Sequence, residues 1–77
     1  MRKNIKDIVV GDRFYCLRES GKEYEGTVRA IRVVKSNRET MVTVYMGRDD
    51  DDAEVYRNFY PCDCVEWTAE TPEPVYG

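Results

Sequence analysis

Three groups of side chains in this 77-residue chain have the types and spacing to do chemistry. Cys62 and Cys64 flank Asp63, and Cys16 is the only other cysteine. Structural zinc takes four Cys/His ligands, commonly from C-x-x-C pairs. A C-x-C pair, one further cysteine and no histidine do not complete such a set, so no metal is expected. An odd number of cysteines leaves one thiol over from any disulfide. Reduced thiols in a cytosolic protein are the expectation, with a Cys16–Cys62 or a Cys16–Cys64 bridge both left open by the sequence. The second group is Asp49, Asp50, Asp51 and Asp52 with Glu54. A calcium loop alternates its ligands and needs a glycine at its sharp turn. That pattern is absent, and the run reads as a solvated, self-repelling hairpin tip that can recognise a basic surface. The third group is Arg29, Arg32, Lys35 and Arg38, a basic run of the kind that tracks a nucleic-acid backbone where aromatic rings lie beside it.

The chemistry excluded is as informative. Without histidine there is no Ser-His or Cys-His nucleophile pair and no imidazole base. There is no glycine-rich phosphate loop. The carboxylates fall in loop-like stretches where water keeps them ionised. An enzyme is not expected, nor a cofactor.

A chain of 77 residues makes one domain, and a domain of this size buries only about 60% of the surface its unfolded form exposes. Hydrophobic residues at 42% and charged residues at 35% fit a folded domain and not a disordered chain. No apolar run reaches the ~18–20 residues of a membrane-spanning helix, and the first residues have no apolar signal core. No membrane partner and a cytoplasmic location are therefore expected. The net charge of −3 conceals a split. Residues 1–38 carry ten Lys/Arg against five Asp/Glu, and residues 39–77 carry two against ten. Such a split can steer a charged partner to one face, unless the two halves pair across a sheet. The pI of about 4.9 weighs against phosphate-backbone binding.

These groups are positioned by elements that read as strands. Aromatic and β-branched residues fill 12–18, 24–34, 39–47, 54–60 and 64–68. The third segment alternates most clearly, with Val42, Val44 and Met46 on one face and Met41, Thr43 and Tyr45 on the other. Arg29 and Arg32 break the alternation of the second, which predicts a bulge near Ala30–Ile31. Five short strands with frequent turns predict an all-β domain, a small barrel or sandwich. The expected organisation is an N-terminal arm over 1–8, the strands over 9–69, and a flexible tail over 70–77.

The Val10-Gly11-Asp12 opening, Gly21, Tyr24, Thr27-Val28, Ile31, Arg38-Glu39-Thr40 and the run Val42 to Gly47 resemble the Tudor domain, a five-stranded SH3-like barrel. Pro61 to Val65 resembles the 3₁₀ turn before the last strand of an SH3 domain. Tudor domains that read methylated arginine or lysine hold the cation in an aromatic cage. The resemblance carries two cage positions over, Tyr24 and Tyr45. At two others this chain has Arg18 and Arg48, and an asparagine of the best-known members falls near Asp50. Two arginines repel a methylated cation. Arg18, Arg48, Tyr24 and Tyr45 read instead as one patch for an anionic or carboxylate-bearing partner, since arginine forks match carboxylates and tyrosines give rigid contact area.

The expectation for function is a small non-enzymatic protein- or peptide-binding module, an adaptor or modulator of a larger machine, working through Tyr24, Tyr45, Arg18, Arg48 and Asp50. Prokaryotic and viral Tudor-like barrels that contact nucleic-acid enzymes are compatible with this. The alternatives are a nucleic-acid-binding barrel using Arg29, Arg32, Lys35 and Arg38, or an acidic viral-type inhibitor using Asp49–Asp52 to mimic nucleic acid. Self-association through an open sheet edge is a further expectation.

Overall fold

The computed structural model describes residues 3–73. Its strands are β1 (Arg13–Leu17), β2 (Glu23–Val33), β3 (Thr40–Arg48), β4 (Glu54–Phe59) and β5 (Glu66–Glu70). Two 3₁₀ turns, Ile5–Asp7 and Pro61–Asp63, precede β1 and β5. The strands form one antiparallel sheet in the order β4-β3-β2-β1-β5. The protein is all-β, as the alternation predicts.

Alternation also selects the core. Phe14 and Cys16 of β1, Val28 of β2, Val42 and Val44 of β3, Phe59 of β4, and Trp67 and Ala69 of β5 share the inner face and are buried. In a flat sheet, β1 and β4 would stand about 14 Å apart, three strand spacings. The Phe14 and Phe59 rings are instead 5.7 Å apart, and Phe14 also stacks on Trp67 at 6.1 Å. The sheet therefore curls over its inner face, which is how so short a chain buries three large rings.

Two irregularities make the curl. Val28 pairs with Val44 and Ala30 with Thr43, so Arg29 is an extra residue in β2. The bulge falls one residue before the expected site. It restores the inner-face alternation beyond it, so Ile31 opposes Val42. The second irregularity leaves Met46 unpaired between Tyr45 and Gly47, and Gly47 takes a φ of 101° that L side chains rarely adopt.

The ends of the sheet are tied down. Gly11 N–H donates to the Val28 carbonyl (2.8 Å), and Val28 N–H donates to the Asp12 carbonyl (2.9 Å). The Asp12 carboxylate is fully buried. It accepts from Lys3 Nζ at 2.8 Å, Thr71 Oγ1 at 2.7 Å and the Val9 N–H at 3.1 Å. Burial pushes this carboxyl up, but those three donors outweigh it and hold it below its ordinary value. Ile8 is buried in the core and Ile5 packs against it. Of the arm expected over 1–8, residues 1–2 lie outside the described residues, and so do residues 74–77 of the tail expected over 70–77. Glu70 is the last residue of β5.

The expectation of three reduced thiols is corrected. Cys16 and Cys64 form a disulfide, with Cα atoms 5.9 Å apart, and Cys62 is free and exposed. The Val65 N–H donates to the Leu17 carbonyl at 2.8 Å, which brings the end of the second 3₁₀ turn against β1. That turn uses Pro61–Asp63, with Cys64 as its cap, so β5 starts two residues later than expected and Val65 stays outside it, 60% exposed. Among the described residues no helix is long and apolar enough to cross a membrane.

Candidate functional site

Strand register decides which predicted site residues meet. Val28 opposes Val44 and Thr27 opposes Tyr45. Val44 is buried on the inner face, so Tyr45, its neighbour, points outward. Tyr24 has the parity of Val28 and points inward, against Phe59, at 5.5 Å between ring centroids. The patch expected from Arg18, Tyr24, Tyr45 and Arg48 is therefore divided between two faces.

On the inner-face rim, Tyr24 is half-buried and Phe59 is buried. The Arg57 guanidinium carbon lies over the Tyr24 ring at 5.0 Å, and that of Arg18 lies over the Phe59 ring at 5.3 Å. Arg18 follows β1 directly and Arg57 is on β4, three strands away in the sheet, so the curl is what brings the two together. Both are exposed.

On the outer face, Tyr45 of β3 and Tyr56 of β4 are directly opposite in register, with ring centroids 5.5 Å apart. Arg29, the bulged residue of β2, lies over Tyr45 at 5.1 Å. Thr43 Oγ1 meets Asn58 Oδ1 at 2.7 Å along the same strand pair. Tyr56 is 47% exposed, and its hydroxyl donates to Glu54 Oε2 at 2.8 Å. That bond, helped by desolvation and the Glu54 charge, pushes the phenol pKa above its ordinary value. Tyr15 is raised in the same way by Glu23, which its hydroxyl meets at 2.9 Å.

Arg48 is already engaged. It donates to the Asp52 carbonyl at 2.8 Å and lies 3.7 Å from Asp52 Oδ1 and 3.6 Å from Glu54 Oε1. Asp50 is exposed in the β3–β4 turn. The frame of that turn is Asp49, whose Oδ1 accepts from the Asp51 and Ala53 N–H groups at 2.9 and 3.0 Å.

Of the basic run, Arg29 lies on the outer face against Tyr45, and Arg32, opposite Met41, has outer-face parity. Lys35 and Arg38 are exposed in the β2–β3 connection. Charge along the chain does not become charge by strand. β2 itself changes sign, with Glu23 and Glu25 in its first half and Arg29 and Arg32 in its second. Beside the first half, the outer positions of β5 add Glu66 and Glu70 across β1, and Arg13 is paired with Glu25 at 2.9 Å. The outer surface is thus acidic over β2–β1–β5 and basic over β2–β3.

Tyr56 and Arg57 carry contacts that reading the sequence alone did not assign. The signal for Tyr56 was present, because a hairpin of β3 and β4 through the aspartate loop places it opposite Tyr45. Arg57 needed the curl, which no local pattern encodes.

Two other groupings occur. The ligand atoms of Glu39, Cys62 and Asp63 lie within 4.8 Å of one another. Desolvation, then the Glu39 and Asp63 charges, push the Cys62 thiol above its ordinary pKa. An open cleft of about 520 Å³ lies between Lys3, Asn4, Ile5, Lys6, Thr40 and Trp67. The comparisons with protein-family models, curated proteins and solved structures found no match to this chain.

Proposed function

We propose that this protein is a small non-enzymatic interaction module, an SH3-like, Tudor-like barrel that docks a protein partner on the outer face of β3 and β4. The observation that carries the reading is the Tyr45–Tyr56 pair, with Arg29 over Tyr45 and Tyr56 on the edge strand β4. A tyrosine pair gives rigid contact area at low entropy cost, and β4 offers an unpaired strand edge to an extended segment. The barrel reading is supported by the curl, the β1–β4 meander with β5 returning beside β1, and the bulged β2 that serves both halves of the sheet. Reading of a methylated cation is not part of the proposal, because Tyr24 and Tyr45 face opposite ways. The Cys16–Cys64 disulfide favours an oxidising compartment over the cytosol.

A second reading, nucleic-acid binding, is favoured by one observation: Arg29 shares its face with two tyrosines on which bases can stack. The acidic surface over β2–β1–β5 opposes it.

Selection of binders from a random peptide library, followed by amide-shift mapping, tests both. The module reading expects shifts centred on Tyr45, Tyr56 and Arg29 and loss of binding in the Tyr45→Ala/Tyr56→Ala double variant with the fold intact. Binding to a generic oligonucleotide that falls steeply with salt, with no peptide binding, would replace it by the second reading.

A further inference from the structure

On the inner-face rim, away from the face just proposed, Arg18 and Arg57 differ from Arg13 and Arg48, and unlike Arg29, which lies alone over Tyr45, they stand on two rings that pack against each other. Arg13 is paired with Glu25, and Arg48 with Asp52 and Glu54. Among the described residues, the guanidiniums of Arg18 and Arg57 have neither an ion pair nor a hydrogen bond; their contacts are the rings of Phe59 and Tyr24. Those rings touch each other at 5.5 Å, so the two cations stand over adjoining aromatic surfaces. A ring attracts a cation through its negative face and leaves the N–H groups at the guanidinium edge free. Phe59 is 1% exposed and fixed in the core, so the support under Arg18 is rigid. Two exposed forks, held in place with their donors unused, suit planar oxyanions.

We propose that Arg18 and Arg57 form a binding site for carboxylate pairs on an extended acidic segment of a partner protein. Alternate residues of an extended chain point the same way and repeat about every 6.7 Å, which offers two carboxylates to two neighbouring forks. β4 carries Arg57 and is an open edge along which such a segment can lie. A long polyanion is disfavoured, because Asp49–Asp52 and the acidic β2–β1–β5 surface repel it. Charges beyond about 8 Å are screened at physiological salt, so a short acidic segment responds mainly to the two forks.

The test follows the Arg Nε–Hε resonances during titration with a capped hexapeptide that has Glu at alternate positions. Its Gln counterpart, a phosphoserine counterpart and a short oligonucleotide serve as the other probes. The proposal expects saturable shifts at Arg18 and Arg57 with the Glu peptide, none at Arg29 or Arg32, and none with the Gln peptide. Arg18→Gln or Arg57→Gln should each weaken binding about tenfold, the value of one charged hydrogen-bond set. The Tyr45→Ala/Tyr56→Ala variant should bind the Glu peptide as the parent does, which separates this site from the outer-face reading. Arg18→Lys and Arg57→Lys keep the charge and cover the rings, so they serve if a Gln variant unfolds, and they too should bind less tightly for want of the fork. Equal binding of the Gln peptide, shifts confined to Arg29 and Arg32, or response only to phosphoserine or oligonucleotide would overturn the proposal.

Discussion

Tyr24 and Tyr45 occupy neighbouring strands and point to opposite faces of the sheet, one against Phe59 and the other against Tyr56. Their substitutions should therefore separate. Tyr24→Ala removes a ring packed on the buried Phe59 and should cost about 1–3 kcal/mol in a urea titration, below a full core truncation because Tyr24 is only half-buried. Tyr45→Ala removes one cross-strand pair and should cost about 1 kcal/mol or less. Equal losses at the two positions would mean that the rings share one environment.

Asp12 sets the acid sensitivity. Its folded pKa lies below the ordinary 3.8, despite burial, because Lys3, Thr71 and the Val9 N–H hold the charged form. The stability this supplies is fully present above pH 3.8 and is lost as the pH falls below it, through the lower folded value. Asp12→Asn cannot carry that charge. The stability difference between parent and variant should be constant from neutral pH down to the ordinary carboxylate range and then shrink with further acid. A difference that stays constant into strong acid would show that the carboxylate is not the species bound.

How much of this was legible follows from what kind of rule sets each feature. Val42 and Val44 announce β3 by alternation alone, and Phe14, Val28 and Phe59 fall in place once five strands are drawn. The bulge at Arg29 was visible as a broken alternation, to within a residue. What local pattern cannot encode is which strands meet after the sheet curls. The rings of Phe59 and Phe14 touch across three strand spacings, and that fold-over brings Arg57 and Arg18 to adjoining rings. The division of Tyr24 from Tyr45 lay within reach, because parity against Val28 and Val44 fixes it; taking both as members of one cage overrode the parity. The disulfide was undecidable, since Cys62 and Cys64 differ by two residues and only the cap of the second 3₁₀ turn selects Cys64.

Alkylation followed by mass measurement should count one reactive thiol, Cys62, before reduction and three after it. The bridge closes a long loop, with a sequence separation of 48, so reduction should lower stability by about 2–4 kcal/mol. Cys62 should react slowly at neutral pH, because desolvation and the Glu39 and Asp63 charges hold its thiol protonated. Glu39→Gln should speed the reaction and move its pH midpoint down. An unchanged rate in that variant would remove Glu39 as a cause.

Gly26 lets β2 lie close against β3. It lies on the inner face of β2 between Tyr24 and Val28, and it is buried. A Cβ added there would collide with the Tyr45 carbonyl oxygen and come within 2.6 Å of Val44 Cγ1. Val44 is a fully buried core residue and the carbonyl belongs to β3 itself, so neither can move aside without shifting the strand. Gly26→Ala should cost about 1–3 kcal/mol, the range for overpacking a core, even though alanine is the better residue for most backbone. The damage should also spread. Moving β3 away from β2 displaces Tyr45 and, through the β3–β4 pairing, Tyr56 on the outer face, while β1 and β5 are not held by that contact. Amide shifts in Gly26→Ala should thus be largest along β2 and β3. Peptide binding on the outer face should fall further than the stability loss alone accounts for. A variant as stable as the parent would mean that β2 and β3 do not approach this closely at Gly26.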